Sequence, residues 1–173
     1  MQAQDPSQRV GQWFLWVAWA MALGFAYWFF QGVLDKQHNP NQSPLTTASP
    51  DGRKTVALIA NKQGHFVGTL LINGQPTAFM LDTGATTIAV PEAVAAQLGM
   101  KKGMVHTVDT ANGTARAYTS HIDTLQLGEI ELTDLPATIA PGMEGDEILL
   151  GMSALKHLEF VKRDKTLTLI QQL

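Results

Sequence analysis

Apolar and polar positions divide the chain into three zones. No charged residue falls between Val10 and Leu34, and Trp13 to Phe30 holds only apolar residues, one Gly and one Tyr. As a helix this run would rise about 27 Å, close to the roughly 30 Å of a bilayer's hydrocarbon core. Trp13, Trp16, Tyr27 and Trp28 lie toward its ends, where amphipathic rings favour the headgroup region. The run exceeds the ~7–15-residue apolar core of a cleaved signal and lacks the polar stripe of a helix on a soluble core. It is therefore read as a transmembrane anchor, residues 13–30, behind a short tail, 1–12. Residues 31–54 follow, with Pro40, Pro44 and Pro50 among Asn, Gln, Ser and Thr. Few large apolar groups are present to offset the entropy of ordering, so this stretch is expected to be a flexible tether.

From residue 55 to 173 the pattern changes to short β-type runs separated by turn signals. His65–Ile72 is a run of β-formers closed by Asn73-Gly74, a hairpin dipeptide. Thr77–Leu81 leads into Asp82-Thr83-Gly84, and Thr87–Val90 is a further strand. Pro91 opens a brief helix, Glu92–Leu98, which Gly99 stops. Val105–Asp109 and Thr114–Ile122 flank Asn112-Gly113; Thr124–Leu127 and Glu129–Leu132 flank Gly128. Ile148–Leu150 runs into Gly151 and a helical turn at Ser153–His157, and Phe160–Ile170 folds back around Arg163-Asp164-Lys165. The spacing predicts an all-β domain, a small closed antiparallel barrel or sandwich with two short helices.

Composition narrows the chemistry. Charged residues make up 16% of the chain and the net charge is −3, without the clustered basic face of a nucleic-acid binder. There is no cysteine, which excludes disulfides, a thiol nucleophile and thiolate metal sites. His38, His65, His106, His121 and His157 form no i, i+4 pair and no cluster with carboxylates, so no metal and no other cofactor is expected. No Gly-x-Ser-x-Gly elbow supports serine catalysis. The acidic Gly142–Glu147 reads as a solvated loop.

The informative stretch is Phe79-Met80-Leu81-Asp82-Thr83-Gly84-Ala85-Thr86. An apolar strand carries a carboxylate out of the core onto a turn of small residues, where a ligand's backbone has close access. Asp-x-Gly is also ordinary turn chemistry. Downstream, Ile148-Leu149-Leu150-Gly151 precedes a short helix. Together, FMLDTGATT and GDEILLGMSAL resemble the retropepsin-like aspartic peptidases, and most of all the bacterial single-domain, membrane-anchored type, over roughly Lys62 to Leu169. The resemblance implies a retropepsin-type barrel in which Asp82 is catalytic. It implies that Thr83 ties two active-site turns together across a dimer and that Gly151 supports the site. Gly84 and Ala85 would lie beside bound peptide. The hairpin tip around Ala111, Asn112 and Gly113 would close over it as a flap. Retroviral members carry an ion pair where this chain has Thr86 and Met152, so any dimer here is held by other contacts.

One carboxylate does not suffice. Hydrolysing an amide without metal or covalent intermediate needs a base for the attacking water and an acid for the leaving nitrogen, and two carboxyls about 3 Å apart share one proton to serve both. Asp109-Thr110 is followed by Ala111, and Asp51-Gly52 lies in the expected tether; no second Asp-Thr-Gly is present. The expectation is a homodimer in which two Asp82 side chains cleave a peptide or protein substrate. The N-terminal helix would hold it in the bacterial inner membrane by a single pass. Lys36, Arg53 and Lys54 after the span outnumber Arg9 before it, yet a short tail ahead of a first span stays inside, which places the domain in the periplasm. The alternative is a non-catalytic, membrane-anchored peptide-binding or scaffolding domain with the same fold.

Overall fold

The computed structural model describes residues 6–48, 52–110 and 113–171. It divides into two compact units, Met1–Gln37 and His38–Leu173. The first is the body of helix α1 (Pro6–His38). Pro6 stands at its first position, where the missing N–H costs nothing. Trp13–His38 has a mean hydropathy of 1.5 and buries none of its apolar window. Trp13, Trp16, Trp19, Phe25 and Trp28 all stay more than half exposed, so the helix is apolar all round, as a membrane span requires. One helix is therefore long and apolar enough to cross a bilayer.

The second unit is mostly strand. Its elements are β1 (Thr46–Ala48), β2 (Lys54–Ile59), β3 (Val67–Ile72), β4 (Gln75–Leu81), β5 (Ile88–Pro91), α2 (Glu92–Gln97), β6 (Val105–Thr110), β7 (Gly113–Leu127), β8 (Ile130–Ala140), β9 (Ile148–Leu150), α3 (Met152–Leu155), β10 (Glu159–Arg163) and β11 (Thr166–Gln171). One sheet has the order β3-β4-β9-β5-β8-β7-β6, and a further pairing of β3 with β7 closes it into a barrel. The other has the order β1-β2-β11-β10. Phe79, Ile88, Ile122, Leu125, Leu135, Ile139 and Ile148 are almost wholly buried in the barrel core. Val56 and Leu58 of β2 and Leu167 and Leu169 of β11 turn the inner face of the smaller sheet into the same cluster.

The barrel is not purely antiparallel as expected. β4 pairs with β9 in parallel, and so does β5 with β8, because β9 arrives late in the chain and slots between β4 and β5. Nor are Thr114–Ile122 and Thr124–Leu127 separate strands; both belong to β7, fifteen residues long. The ladder pairs Ile122 with Leu135 and Thr124 with Thr133 but skips Asp123 and Asp134. Asp134 has φ +59. The buried positions shift there from Ile122 to Leu125 and Leu127, a bulge-like break that bends one strand through two faces. β8 also runs through Pro136, one residue before its pairing with β5 begins at Ala137. The absent N–H is thus harmless on that side.

Part of the stretch expected to tether the domain is built into it. Asn41 is only 6% exposed. Its amide nitrogen donates to the Ile59 and Val67 carbonyls (2.9 and 2.6 Å), and its side-chain oxygen accepts from the Ile59 N–H (2.8 Å). Its own carbonyl accepts from the Thr69 N–H at 3.0 Å. Asn41 thereby joins β2 to β3, one strand from each sheet. A side chain on Gly68 would meet the Phe79 ring at 2.7 Å and the Asn41 carbonyl at 3.3 Å, so glycine is what allows this approach.

Candidate active site

β4 delivers Asp82. Leu81 still donates its N–H to the Phe66 carbonyl at 2.9 Å, while the Asp82 N–H reaches across to the Leu150 carbonyl at 3.2 Å. The strand then stops, because Asp82 turns its carboxylate onto its own backbone: Oδ1 accepts the Gly84 N–H at 2.8 Å. The Asp82 carbonyl accepts the Ala85 N–H at 3.3 Å. This is the self-capping turn that Asp favours. Asp82 is half-buried, and Thr83 and Gly84 are exposed beside it. A side chain on Gly84 would sit 3.1 Å from Asp82 Oδ1, crowding the carboxylate.

β9 and α3 hold this turn from behind. The Met152 N–H donates to the Ala85 carbonyl at 2.8 Å, and the buried Ser153 hydroxyl accepts the Ile88 N–H at 3.0 Å. Gly151 is buried between them. A Cβ there would strike the Thr87 carbonyl and lie 2.6 Å from that of Ala85, so only glycine lets β9 pass this close. Thr87 and Thr138 share a hydroxyl–hydroxyl bond at 2.9 Å on the far side of the turn. Gly151 therefore lies against the carbonyls of Ala85 and Thr87, just past the Asp82 turn.

The other expected site residues lie on the β6–β7 hairpin. Gly113 has φ +106, and Thr110 Oγ1 donates to its carbonyl at 2.6 Å. Ala111 and Asn112 lie outside the described residues. At the hairpin's base, Thr119 accepts the Gly103 N–H on its carbonyl (2.7 Å) and the Met104 N–H on its hydroxyl (2.9 Å), and donates its own N–H to the Met104 carbonyl (2.9 Å). Lys102 pairs with Glu92 of α2 and stands 4.7 Å from the centre of the Tyr118 ring. The hydrogen bond to Glu92 holds its ammonium above the ordinary lysine range, against a smaller opposing effect of desolvation. On β6, His106 Nδ1 is buried without a hydrogen-bond partner.

Sequence reasoning did not single out Ser153, Thr87, Thr119 or Asn41. Small hydroxyl and amide side chains are common in loops, and only the three-dimensional partner distinguishes these four. Chemically, the turn offers one carboxylate, ordered by a single N–H and open on one side. That is a proton acceptor or donor, but not both at once.

This geometry can be set against known proteins. Residues 68–157, just over half of the chain, match the family described as "gag-polyprotein putative aspartyl protease", a span that includes both the Asp82 turn and Gly151. The chain belongs to the retropepsin-like aspartic peptidases. The fold agrees: the crystal structure of a retropepsin-like aspartic protease from Rickettsia conorii superposes with a TM-score of 0.58 at 25% identity, over 75% of this chain and 94% of that one. Among curated proteins, an uncharacterised protein from the cobV 5′ region of a Sinorhizobium species is 32% identical over 126 residues, 71% of this chain and 54% of its own length. An uncharacterised protein of Rickettsia prowazekii is 30% identical over 118 residues, 66% of this chain and 50% of its own. The retropepsin-like chain thus spans about half the length of the curated relatives it matches.

Proposed function

We propose that this chain is an aspartic endopeptidase, anchored by α1 and active as a homodimer, in which the Asp82 carboxylates of two copies cleave peptide bonds. The observation that carries this reading is the Asp82 turn itself. A family-typical Asp-Thr-Gly sits at the end of β4, braced by β9 through Gly151, and the sequence holds no second such turn to complete an acid–base pair. Across a twofold, one carboxylate takes a proton from water as the oxygen attacks the scissile carbonyl carbon. The other gives a proton to the amide nitrogen as the C–N bond breaks. Thr83 would tie the two turns together. The backbone at Gly84 and Ala85 would run beside the peptide, and the hairpin tip at Ala111, Asn112 and Gly113 would cover it. The span would set the domain on the periplasmic side of a bacterial inner membrane.

The test is cleavage of a diverse peptide library by the full chain in detergent, from acid to neutral pH, for wild type and Asp82→Asn. The wild type should show a bell-shaped dependence of kcat/KM on pH, because one carboxyl of the pair must be charged and the other neutral. The variant should fold normally, yet lose at least about 10²-fold in kcat/KM. Full activity in Asp82→Asn would remove the mechanism.

A further inference from the structure

Residues opposite one another in a strand ladder project to the same side of a sheet, and successive residues along a strand alternate. Register therefore decides which side chains share a face of the seven-stranded sheet. Met80 pairs with Leu149, Leu149 with Ala89, Ala89 with Thr138, and Thr138 with Thr119. Their neighbours Phe79, Ile148 and Ile139 turn the other way, into the core. The Asp82 N–H still bonds to the Leu150 carbonyl, so alternation carries Asp82 to the side of Met80. Two residues before Thr119, on that same side, stands Ala117, which pairs with His106 of β6. One face thus runs from the Asp82 turn to His106.

The two ends of this face differ in chemistry. Near Asp82 it holds Met80, Leu149 and Ala89, all half-buried, which leaves polar recognition to the far end. There Ala117 is wholly buried yet lies outside the core cluster, and its ladder partner His106 is half-buried. His106 Nδ1 is shut off from solvent with no hydrogen-bond partner, alone in this among the buried side-chain nitrogens and oxygens of the described residues. Buried polar atoms are almost always bonded, so a partner that arrives with a bound molecule accounts for this one. A neutral imidazole has one donor and one acceptor nitrogen. A carboxamide both donates and accepts, so it satisfies Nδ1 in either tautomer. Val108 and Ala115, which lie on the same face and pair with each other one step nearer the hairpin tip, bring no charge that would favour an ionic group instead.

We propose that His106 is a specificity-determining residue, whose Nδ1 hydrogen-bonds the side-chain carboxamide of an Asn or Gln in the substrate. The inference rests on the peptidase reading for the course of the peptide over this face. β6 is the fifth strand along the sheet from β4, so the selected side chain lies at least two residues from the scissile bond rather than beside it.

The test uses the full chain in detergent and a peptide library in which one position at a time carries Asn, Gln or their apolar counterparts of similar shape, Leu and Met. At one position away from the cleaved bond, the wild type should favour the carboxamide over its counterpart by about two- to tenfold in kcat/KM, the scale of a single hydrogen bond. His106→Leu should bring that ratio to about one, and His106→Asn, which keeps an amide near the place of Nδ1, should restore part of it. A purely structural histidine would change the cleavage of both peptides alike and leave their ratio where it was, and that result overturns the assignment. The same peptide pairs, titrated onto Asp82→Asn with and without His106→Leu and followed by fluorescence polarisation, separate this inference from the peptidase reading. A His106-dependent binding ratio without any Asp82-dependent cleavage would uphold the role of His106 and overturn the peptidase. Asp82-dependent cleavage with no His106-dependent ratio at any position would do the reverse.

Discussion

At the scale of single residues, the site depends on positions that carry no chemistry of their own. Gly151 is the clearest. Its missing side chain is what lets β9 run against the carbonyls of Ala85 and Thr87, and the backbone cannot yield there without moving Asp82. Gly151→Ala is expected to cost at least the ~1–3 kcal/mol of an overpacked core position, read as a lower urea midpoint, and to lower any cleavage activity with it. Ser153→Ala has a different cause. It leaves the buried Ile88 N–H without its acceptor, a loss of about 1–3 kcal/mol, whereas Ser153→Thr keeps the hydroxyl and should retain more of that stability. The strand end and turn at Asp82-Thr83-Gly84 and the crossing strand before Gly151 were legible in the sequence because strand, turn and crossing strand each leave a local pattern. Ser153 was not, since a serine in a helical turn looks the same whether it faces water or a backbone N–H sixty-five residues away.

At the scale of elements, the long hairpin β6–β7 shows where periodicity misleads. The buried set changes parity at Asp123, so a period-two reading breaks one strand into two. The hydrogen-bond ladder runs on past the break, because Asp134 takes φ +59 and absorbs the irregularity. β8 is longer than the Glu129–Leu132 expected: it runs on to Ala140 through Pro136, whose missing N–H costs nothing on the side where pairing with β5 begins one residue later. The hairpin's base is fixed by Thr119, whose hydroxyl and main chain both bond to the segment at Gly103–Met104. Thr119→Val keeps the two backbone bonds and removes the one to the Met104 N–H. Amide exchange at Met104 should quicken roughly two- to tenfold, matching the ~0.5–1.5 kcal/mol of one hydrogen bond, with little change elsewhere in the barrel.

At the scale of the whole molecule, the start of the folded unit matters most. The sequence places the domain at residue 55, but the compact unit begins at His38, and Asn41 bonds both β2 and β3 from within. Asn61 adds a bond from its amide to the His38 carbonyl at 3.1 Å, and His38 Nε2 meets Glu147 Oε1 at 2.5 Å. A fragment 38–173 should therefore unfold in one cooperative transition. A fragment 55–173 lacks β1 and Asn41 and should be weaker by several kcal/mol, at about 1–3 kcal/mol for each buried backbone group left unpaired. Chemical denaturation of the two fragments side by side measures the difference, and equal midpoints would contradict it.

The apolar run of α1, the strand-and-turn rhythm of the domain and the Asp-Thr-Gly turn were determined by the sequence alone. Each rests on neighbours within a few residues, where side-chain periodicity and turn stereochemistry act. The parallel insertion of β9 between β4 and β5, the docking of Asn41 across two sheets, and the continuity of β7 and β8 through Asp123 and Pro136 were decided by the tertiary structure. These depend on which distant strands compete for the same hydrogen bonds and the same core. That competition is settled only when the barrel closes, because a backbone group has no preference among partners until packing brings one of them within reach.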